Sequence, residues 1–205
     1  MRVLLVSPHP DDGEVGCGRT ISRLRTPQNE IWEIYFCPCT EDPKNKGHLE
    51  DHRRAVEVLG IDKLIEKKFW RHSLELLKQE VRDILYKLKE EFKPDLVLCP
   101  TPHDFHQDHK AVAECCMTIF RDSSTILGYE ILRSVMSDFR PNLYVTLTHL
   151  DVEKKLETIK CYKSQIKHRS YYFTPKFIEA QLRVRGAQVK AEWAEAFELL
   201  WGRID

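Results

Sequence analysis

The sequence has no apolar run long enough to cross a membrane. Its longest, such as Val3-Leu4-Leu5-Val6 and Leu96-Val97-Leu98-Cys99, fall far short of the ~18 residues a spanning helix needs, so no membrane span is expected. It has no excess of charge either. Lys+Arg total 32 and Asp+Glu total 32, and without a positive field a phosphate-backbone binder is excluded, so no nucleic-acid partner is expected. The N-terminus carries one Arg, four apolar residues and then Ser7-Pro8-His9-Pro10. That lacks the apolar core and cleavage site of a secretory leader, and a cytoplasmic location is the expectation. An even cysteine count is also missing. The seven cysteines include adjacent Cys115 and Cys116, and Cys37 and Cys39 are one residue apart. Buried reduced thiols fit this better than disulfides or a zinc ribbon.

Several motifs are absent. There is no Walker loop and no Gly-x-Ser-x-Gly elbow, and Gly16-Cys17-Gly18 followed by Arg19 lacks the third glycine of a dinucleotide fingerprint. The glycine pair is expected instead to let a helix pack close to a sheet. No Gly/Ser/Pro-rich linker, repeat or low-complexity stretch divides the 205 residues, so residues 1–205 are expected to form a single domain. The stretch from Pro43 to Gly47 is the expected mobile loop.

What is present is alternation. Short β-rich apolar runs are each followed by a helical pattern: Arg2–Ser7 then Glu14–Leu24, Glu30–Cys37 then Leu49–Leu59, Leu64–Trp70 then Leu74–Phe92, Asp95–Cys99 then Lys110–Phe120. This predicts an α/β fold of three layers around a mostly parallel sheet covered on both faces. Beyond Leu127 an appended C-terminal α/β segment is expected. It would hold strands near Ile126–Leu132 and Leu143–Leu147, a helix from Asp151 to about Gln165, and helical segments toward Trp201.

Ligands of open α/β sheets bind at the carboxyl ends of strands, and two such ends carry chemistry. The first strand runs into His9-Pro10-Asp11-Asp12-Gly13-Glu14, and the fourth into His103-Asp104-Phe105-His106-Gln107-Asp108-His109. Either loop alone reads as a strand-end histidine or a helix cap. If the strands are neighbours, the two loops converge. Imidazoles and carboxylates then suit Zn²⁺, with three protein ligands, an open position and a further carboxylate as base. Adjacent aspartates point different ways, so one can hold metal while the other accepts a proton. His103 reads as an ordinary loop histidine, and His48, His52, His72, His149 and His168 as surface or packing residues.

The paired motifs, with Gly16-Cys17-Gly18 and Thr20, resemble those of the PIG-L/LmbE family of zinc-dependent N-acetyl-sugar deacetylases. The resemblance continues through Leu59-Gly60, Lys155, Tyr162-Lys163-Ser164-Gln165, Arg185-Gly186 and Ala194-Glu195-Ala196-Phe197, nearly the whole chain. It implies a Rossmann-like fold, a Zn²⁺ cofactor held by His9, Asp12 and His109, and Asp11 as general base. It further implies His106 as oxyanion stabiliser or proton donor, with Asp108 supporting a neighbouring imidazole. The sequence departs from the family at Gly13, where a Glu is usual, with Glu14 one residue later. His48 aligns with a substrate-binding arginine, which makes it the expected substrate contact.

The expected function is removal of acetyl from an N-acetylated amino sugar or sugar conjugate, better on a decorated or rarer sugar than on free N-acetylglucosamine. A metal-dependent phosphoesterase and a non-catalytic sugar-binding protein are the rivals. The expected partner is therefore a small-molecule N-acetyl sugar or conjugate, and the sequence leaves a homo-oligomer open.

Overall fold

The computed structural model describes residues 1–135 and 137–202. The chain alternates β1 (Arg2–Ser7), α1 (Asp12–Leu24), β2 (Glu30–Tyr35), α2 (His48–Leu59), β3 (Lys63–Glu66), α3 (Lys78–Phe92), β4 (Leu96–Pro100), α4 (Gln107–Phe120) and β5 (Thr125–Tyr129). It continues through β6 (Leu143–Leu147), α5 (His149–Cys161), α6 (Lys163–His168), α7 (Pro175–Gln188) and β7 (Trp193–Trp201). The sheet has the order β3-β2-β1-β4-β5-β7-β6. Its first five strands pair in parallel, whereas β7 is antiparallel to both β5 and β6. This is the expected three-layer, mostly parallel α/β fold.

Side-chain alternation along β1 explains the layering. Leu4 and Val6 enter one buried cluster with Leu85, Val112 and Phe120 of α3 and α4. Val3 and Leu5 enter another with Ile21 of α1, Ala55 of α2 and Ile159 of α5. Since neither face of this strand meets water, its sequence is continuously apolar instead of alternating. Strand order reverses between β1 and β4, which are hydrogen-bonded neighbours with Leu5 opposite Leu98. The two chemistry-bearing loops therefore leave adjacent strand ends at a topological switch point, where crevices form.

Two local expectations need correction, one in β7 and one at the glycine pair. Residues 193–201 form β7 rather than helix. Alanine, glutamate and leucine favour helix only weakly, and pairing on both sides, with Trp193 to Glu198 buried, overrides that preference. Within the Pro43–Gly47 stretch, Pro43–Asn45 form a single 3₁₀ turn, and buried Asn45 donates from Nδ2 to the Cys39 carbonyl at 2.9 Å. Of the glycine pair, only Gly16 is needed for close packing. A Cβ there would sit 2.3 Å from Tyr129 Cδ2, while one at Gly18 would meet nothing closer than 3.8 Å. The seven cysteines are free, and all but Cys161 are buried. No helix among the described residues is long and apolar enough to cross a membrane.

Candidate active site

The turn after β1 is built for close packing beneath it. A Cβ on Gly13 would lie 2.6 Å from Leu5 Cδ2 and 2.8 Å from Ser7 Oγ, so a side chain at this position has no room. Glu14 is the acidic residue turned inward. Just before it, Asp11 has φ 126°, a conformation that L side chains adopt at a cost and that clusters at functional sites. Asp12 opens α1, and His106, Asp108 and His109 surround the first turn of α4. Two helix N-termini thus face one region, and their dipoles favour negative charge there.

Three buried atoms meet. His9 Nδ1 lies 3.0 Å from Asp12 Oδ2, and His109 Nε2 lies 3.3 Å from that oxygen and 3.3 Å from His9 Nδ1. In a tetrahedral zinc site with bonds of about 2.0–2.1 Å, ligand atoms stand about 3.3 Å apart. The outer nitrogens decide the chemistry. His9 Nε2 is 3.1 Å from Asp108 Oδ2, and His109 Nδ1 is 2.8 Å from Asp104 Oδ2. Carboxylates accept, so in the neutral tautomers these nitrogens carry the protons and the inner ones present lone pairs. Two lone pairs and a carboxylate oxygen facing one another repel unless a positive charge, a ring proton or a metal ion, lies among them. Burial opposes a charged His109, yet Asp12 and Asp104 push its pKa up to about 10, so these carboxylates outweigh burial and favour a positive charge on the ring. The donor set fits a divalent metal with borderline N/O preference.

The supporting carboxylates are themselves fixed. Asp104 also accepts from Ser134 Oγ at 3.0 Å and from the His106 N–H at 2.7 Å. Asp108 also accepts the His72 N–H at 2.7 Å and the Leu74 N–H at 3.1 Å. Such carboxylate–imidazole pairs set ring orientation and ligand basicity at metal centres. Asp104 escaped the sequence reading, although the need of each ligating imidazole for an outer acceptor was a usable signal.

Asp11 stands outside this triangle, bordering a cavity of about 290 Å³ that His9, Asp12, His48, His106 and His109 also line. Burial and the neighbouring Asp12 raise its pKa to about 7, against the opposing pull of Arg169 and His9. Its Oδ2 is 3.8 Å from His48 Nε2 and 3.8 Å from Arg169 Nη1. Buried His48 accepts from Gln165 Nε2 on its Nδ1 at 3.0 Å, and burial first, then His52 and Arg169, bring its pKa down to about 4. His106 caps α4: its Nδ1 accepts the Asp108 N–H at 3.2 Å. That contact leaves Nε2–H as the donor of the neutral ring. Of the residues picked from sequence, His9, Asp12 and His109 meet atom to atom, Asp11, His48 and His106 line the adjoining cavity, and Asp108 stands behind His9.

Two histidines play parts that sequence did not suggest. His72 stacks on His106 with ring centroids 5.1 Å apart. His52 is wholly buried between two carboxylates, with Nδ1 3.2 Å from Glu14 Oε1 and Nε2 3.8 Å from Glu33 Oε1. Its Nδ1 is hydrogen-bonded to the Tyr162 hydroxyl at 2.9 Å, while His52 Nε2 and both Glu14 carboxylate oxygens have no hydrogen-bond partner among the described residues. Burial lowers the His52 pKa, but Glu14 and Glu33 carry it up to about 9. His103 is remote from the metal cradle and pairs with Glu198 of β7 at 2.9 Å.

Comparison with known proteins places this geometry in context. The sequence profile of the PIG-L family, described as GlcNAc-PI de-N-acetylase, matches residues 4–120. The chain is 27% identical to a diacetylchitobiose deacetylase of Thermococcus kodakarensis over 188 residues, 80% of this chain and 70% of that protein. It is 29% identical to the uncharacterized deacetylase YaiS of Escherichia coli over 173 residues, 79% of this chain and 90% of that one. Among solved structures, the conserved protein TT1542 of Thermus thermophilus superposes with a TM-score of 0.81 at 21% identity, covering 99% of this chain and 96% of its own. That structural likeness speaks to fold alone.

Proposed function

Because the chain belongs to the PIG-L family of GlcNAc-PI de-N-acetylases, we propose that it is a zinc-dependent hydrolase removing the acetyl group from an N-acetylated amino sugar or sugar conjugate. One observation carries the reading: two imidazole nitrogens and one carboxylate oxygen converge at 3.0–3.3 Å beside a second buried carboxylate, Asp11. His9, Asp12 and His109 would hold the ion. When bound, zinc acts as a Lewis acid toward water and toward the amide carbonyl.

The protein's own groups supply the proton chemistry. Asp11, with a pKa pushed toward neutrality, accepts the proton that water loses on attack. The oxygen that gains negative charge meets His106, whose Nε2–H is left free to donate by the bond at Nδ1. Burial and the neighbouring His109 and His9 hold the His106 pKa at about 4, which suits a neutral hydrogen-bond donor better than a proton source. Asp11, having taken the proton, is then the group placed to return it to the departing amine. A phosphoesterase built on two ions would need a second open cradle ~3.5–4 Å away. The carboxylates behind the cradle are already engaged, Asp108 by His9, His72 and Leu74 and Asp104 by His109, His106 and Ser134. A sugar-binding protein has no evident need for a base, and Asp11 is a carboxylate whose pKa is raised to about 7.

The test is acetate release by zinc-loaded protein from a panel of N-acetylhexosamines and their conjugates, with phosphate monoesters alongside. Acetate from at least one amino-sugar amide, dependent on Asp11, is expected. Phosphate release without acetate overturns the reading.

A further inference from the structure

Glu14 of α1, Glu33 of β2 and His52 of α2 meet beneath the turn that carries Asp11 and Asp12, and each is 0% exposed. We propose that these three side chains form a second divalent-cation site, a closed one that takes Zn²⁺ or Mn²⁺ and has a structural role. Buried carboxylates elsewhere in the protein are well supplied with donors: Glu195 accepts from Lys155, Arg19 and Thr20, and Glu130 from Arg185. The pair on α1 and β2 is not. Among the described residues, both oxygens of Glu14, Glu33 Oε2 and His52 Nε2 have no hydrogen-bond partner. Four polar atoms thus share one buried spot, and burying such atoms without partners is costly.

The donor set matches what such an ion requires. Each of the three side chains can present one ligand atom within 4.8 Å of those of the other two, and rotation of the carboxylates brings such atoms to the ~3.3 Å separation of a tetrahedral centre. His52 Nδ1 lies 2.9 Å from the Tyr162 hydroxyl, so it can carry the ring proton and leave the lone pair on Nε2. Ser7 Oγ donates to Glu33 Oε1 at 3.2 Å and leaves Oε2 for the ion. Glu14, with both oxygens free, supplies the remaining donors. Imidazole with carboxylates is an N/O set suited to Zn²⁺ or Mn²⁺. The charge count agrees: an imidazolium balances one of the two carboxylates, whereas a divalent ion beside a neutral imidazole balances both. Burial and then Glu14 raise the Glu33 pKa to about 8, the response of a carboxylate short of neighbouring positive charge. None of the three residues lines the cavity beside Asp11, so the ion does not meet substrate. Its role is to join α1, β2 and α2 under the catalytic turn, Glu14 standing two residues beyond Asp12.

The experiment counts metal per chain in wild type, His109→Ala, Glu33→Gln and the double variant, each expressed in zinc- or manganese-supplemented medium and dialysed against metal-free buffer. Two ions are expected in wild type, one in each single variant and none in the double variant. His109→Ala lacks a ligand of the outer cradle, so the ion it keeps reports on the inner one. Refolded with zinc or manganese, His109→Ala should melt roughly 5 °C or more above the same protein refolded with a chelator, and the double variant should show no such difference. His52→Gln replaces Glu33→Gln if the latter does not fold. One ion in wild type with none in His109→Ala overturns the site and shows that protons, not a metal, balance the carboxylates. An ion in His109→Ala that survives loss of Glu33 or His52 is adventitious and also overturns it. Either result leaves the deacetylase reading, which rests on the outer cradle, untouched. One ion in both wild type and His109→Ala, lost in Glu33→Gln, supports the inner site and overturns the outer ligand assignment instead.

Discussion

His9, at the end of β1, donates from Nε2 to Asp108 Oδ2, in the first turn of α4, at 3.1 Å. A residue of the second motif thereby fixes the tautomer of a histidine in the first, across the boundary where the strand order reverses. The bond works only because β1 and β4 are adjacent. It ties metal affinity to the packing of two loops about 100 residues apart in sequence.

Metal binding should consequently depend on two kinds of residue to different degrees. His109→Ala removes one of three ligands, and two cannot complete a tetrahedral site. Metal content after dialysis should fall well below that of wild type. Asp108→Asn keeps all three ligands but weakens the acceptor on His9, which should raise the metal dissociation constant by ~10–100-fold. Equal metal content in His109→Ala and wild type would contradict the ligand assignment.

Asp11→Asn should retain zinc and lose a factor of ~10²–10⁴ in kcat, the usual worth of a positioned base. The amide fills the same buried volume beside His48 and Arg169 but accepts no proton. Loss of metal in Asp11→Asn with retention in Asp12→Asn would show that the two aspartates have exchanged roles.

For His106→Ala the expected loss is ~10²–10³ in kcat, comparable to deleting an oxyanion-hole donor. The effect belongs in kcat because the negative oxygen exists only after attack. Since the ring also caps α4 through Nδ1, thermal unfolding of the variant should accompany the kinetics. A defect confined to KM would place His106 in substrate binding instead.

The sheet and its chemistry were legible where one local signal sufficed. Val3-Leu4-Leu5-Val6 is apolar without alternation because helices cover both sides of β1. His9, Asp12 and His109 stand out because strand-end loops rarely collect such donors without a ligand. Partners set by tertiary packing were not legible. Asp104 looks like any loop aspartate until its carboxylate is seen against His109 Nδ1. Nothing local marks Glu33 and His52 as partners, since β2 and α2 bring them together beneath the site. In β7, residues with helical leanings are held extended by neighbours that lie outside their own window of sequence.

Glu195 of β7 shows the energetic weight of such a long-range partner. Its Oε1 lies 2.5 Å from Lys155 Nζ, and its carboxylate also accepts the Arg19 and Thr20 N–H groups and the Thr20 hydroxyl. One buried carboxylate thus joins α1, α5 and β7. Lys155 donates in addition to the Val15 carbonyl at 2.8 Å, and the side chains of both ions are 1% exposed. Lys155→Met leaves the negative charge buried without its counter-ion, for which ~3–5 kcal/mol is typical. Three other donors to Glu195 remain, so the loss should fall near the lower end, ~3 kcal/mol. Urea denaturation should show a lower midpoint with an unchanged slope. Glu195→Gln in the Lys155→Met background should recover part of the loss, because it removes the unpaired charge while keeping an acceptor for Thr20. No recovery in that double variant would mean that lost packing around the lysine stem, rather than the orphaned carboxylate, accounts for the destabilisation.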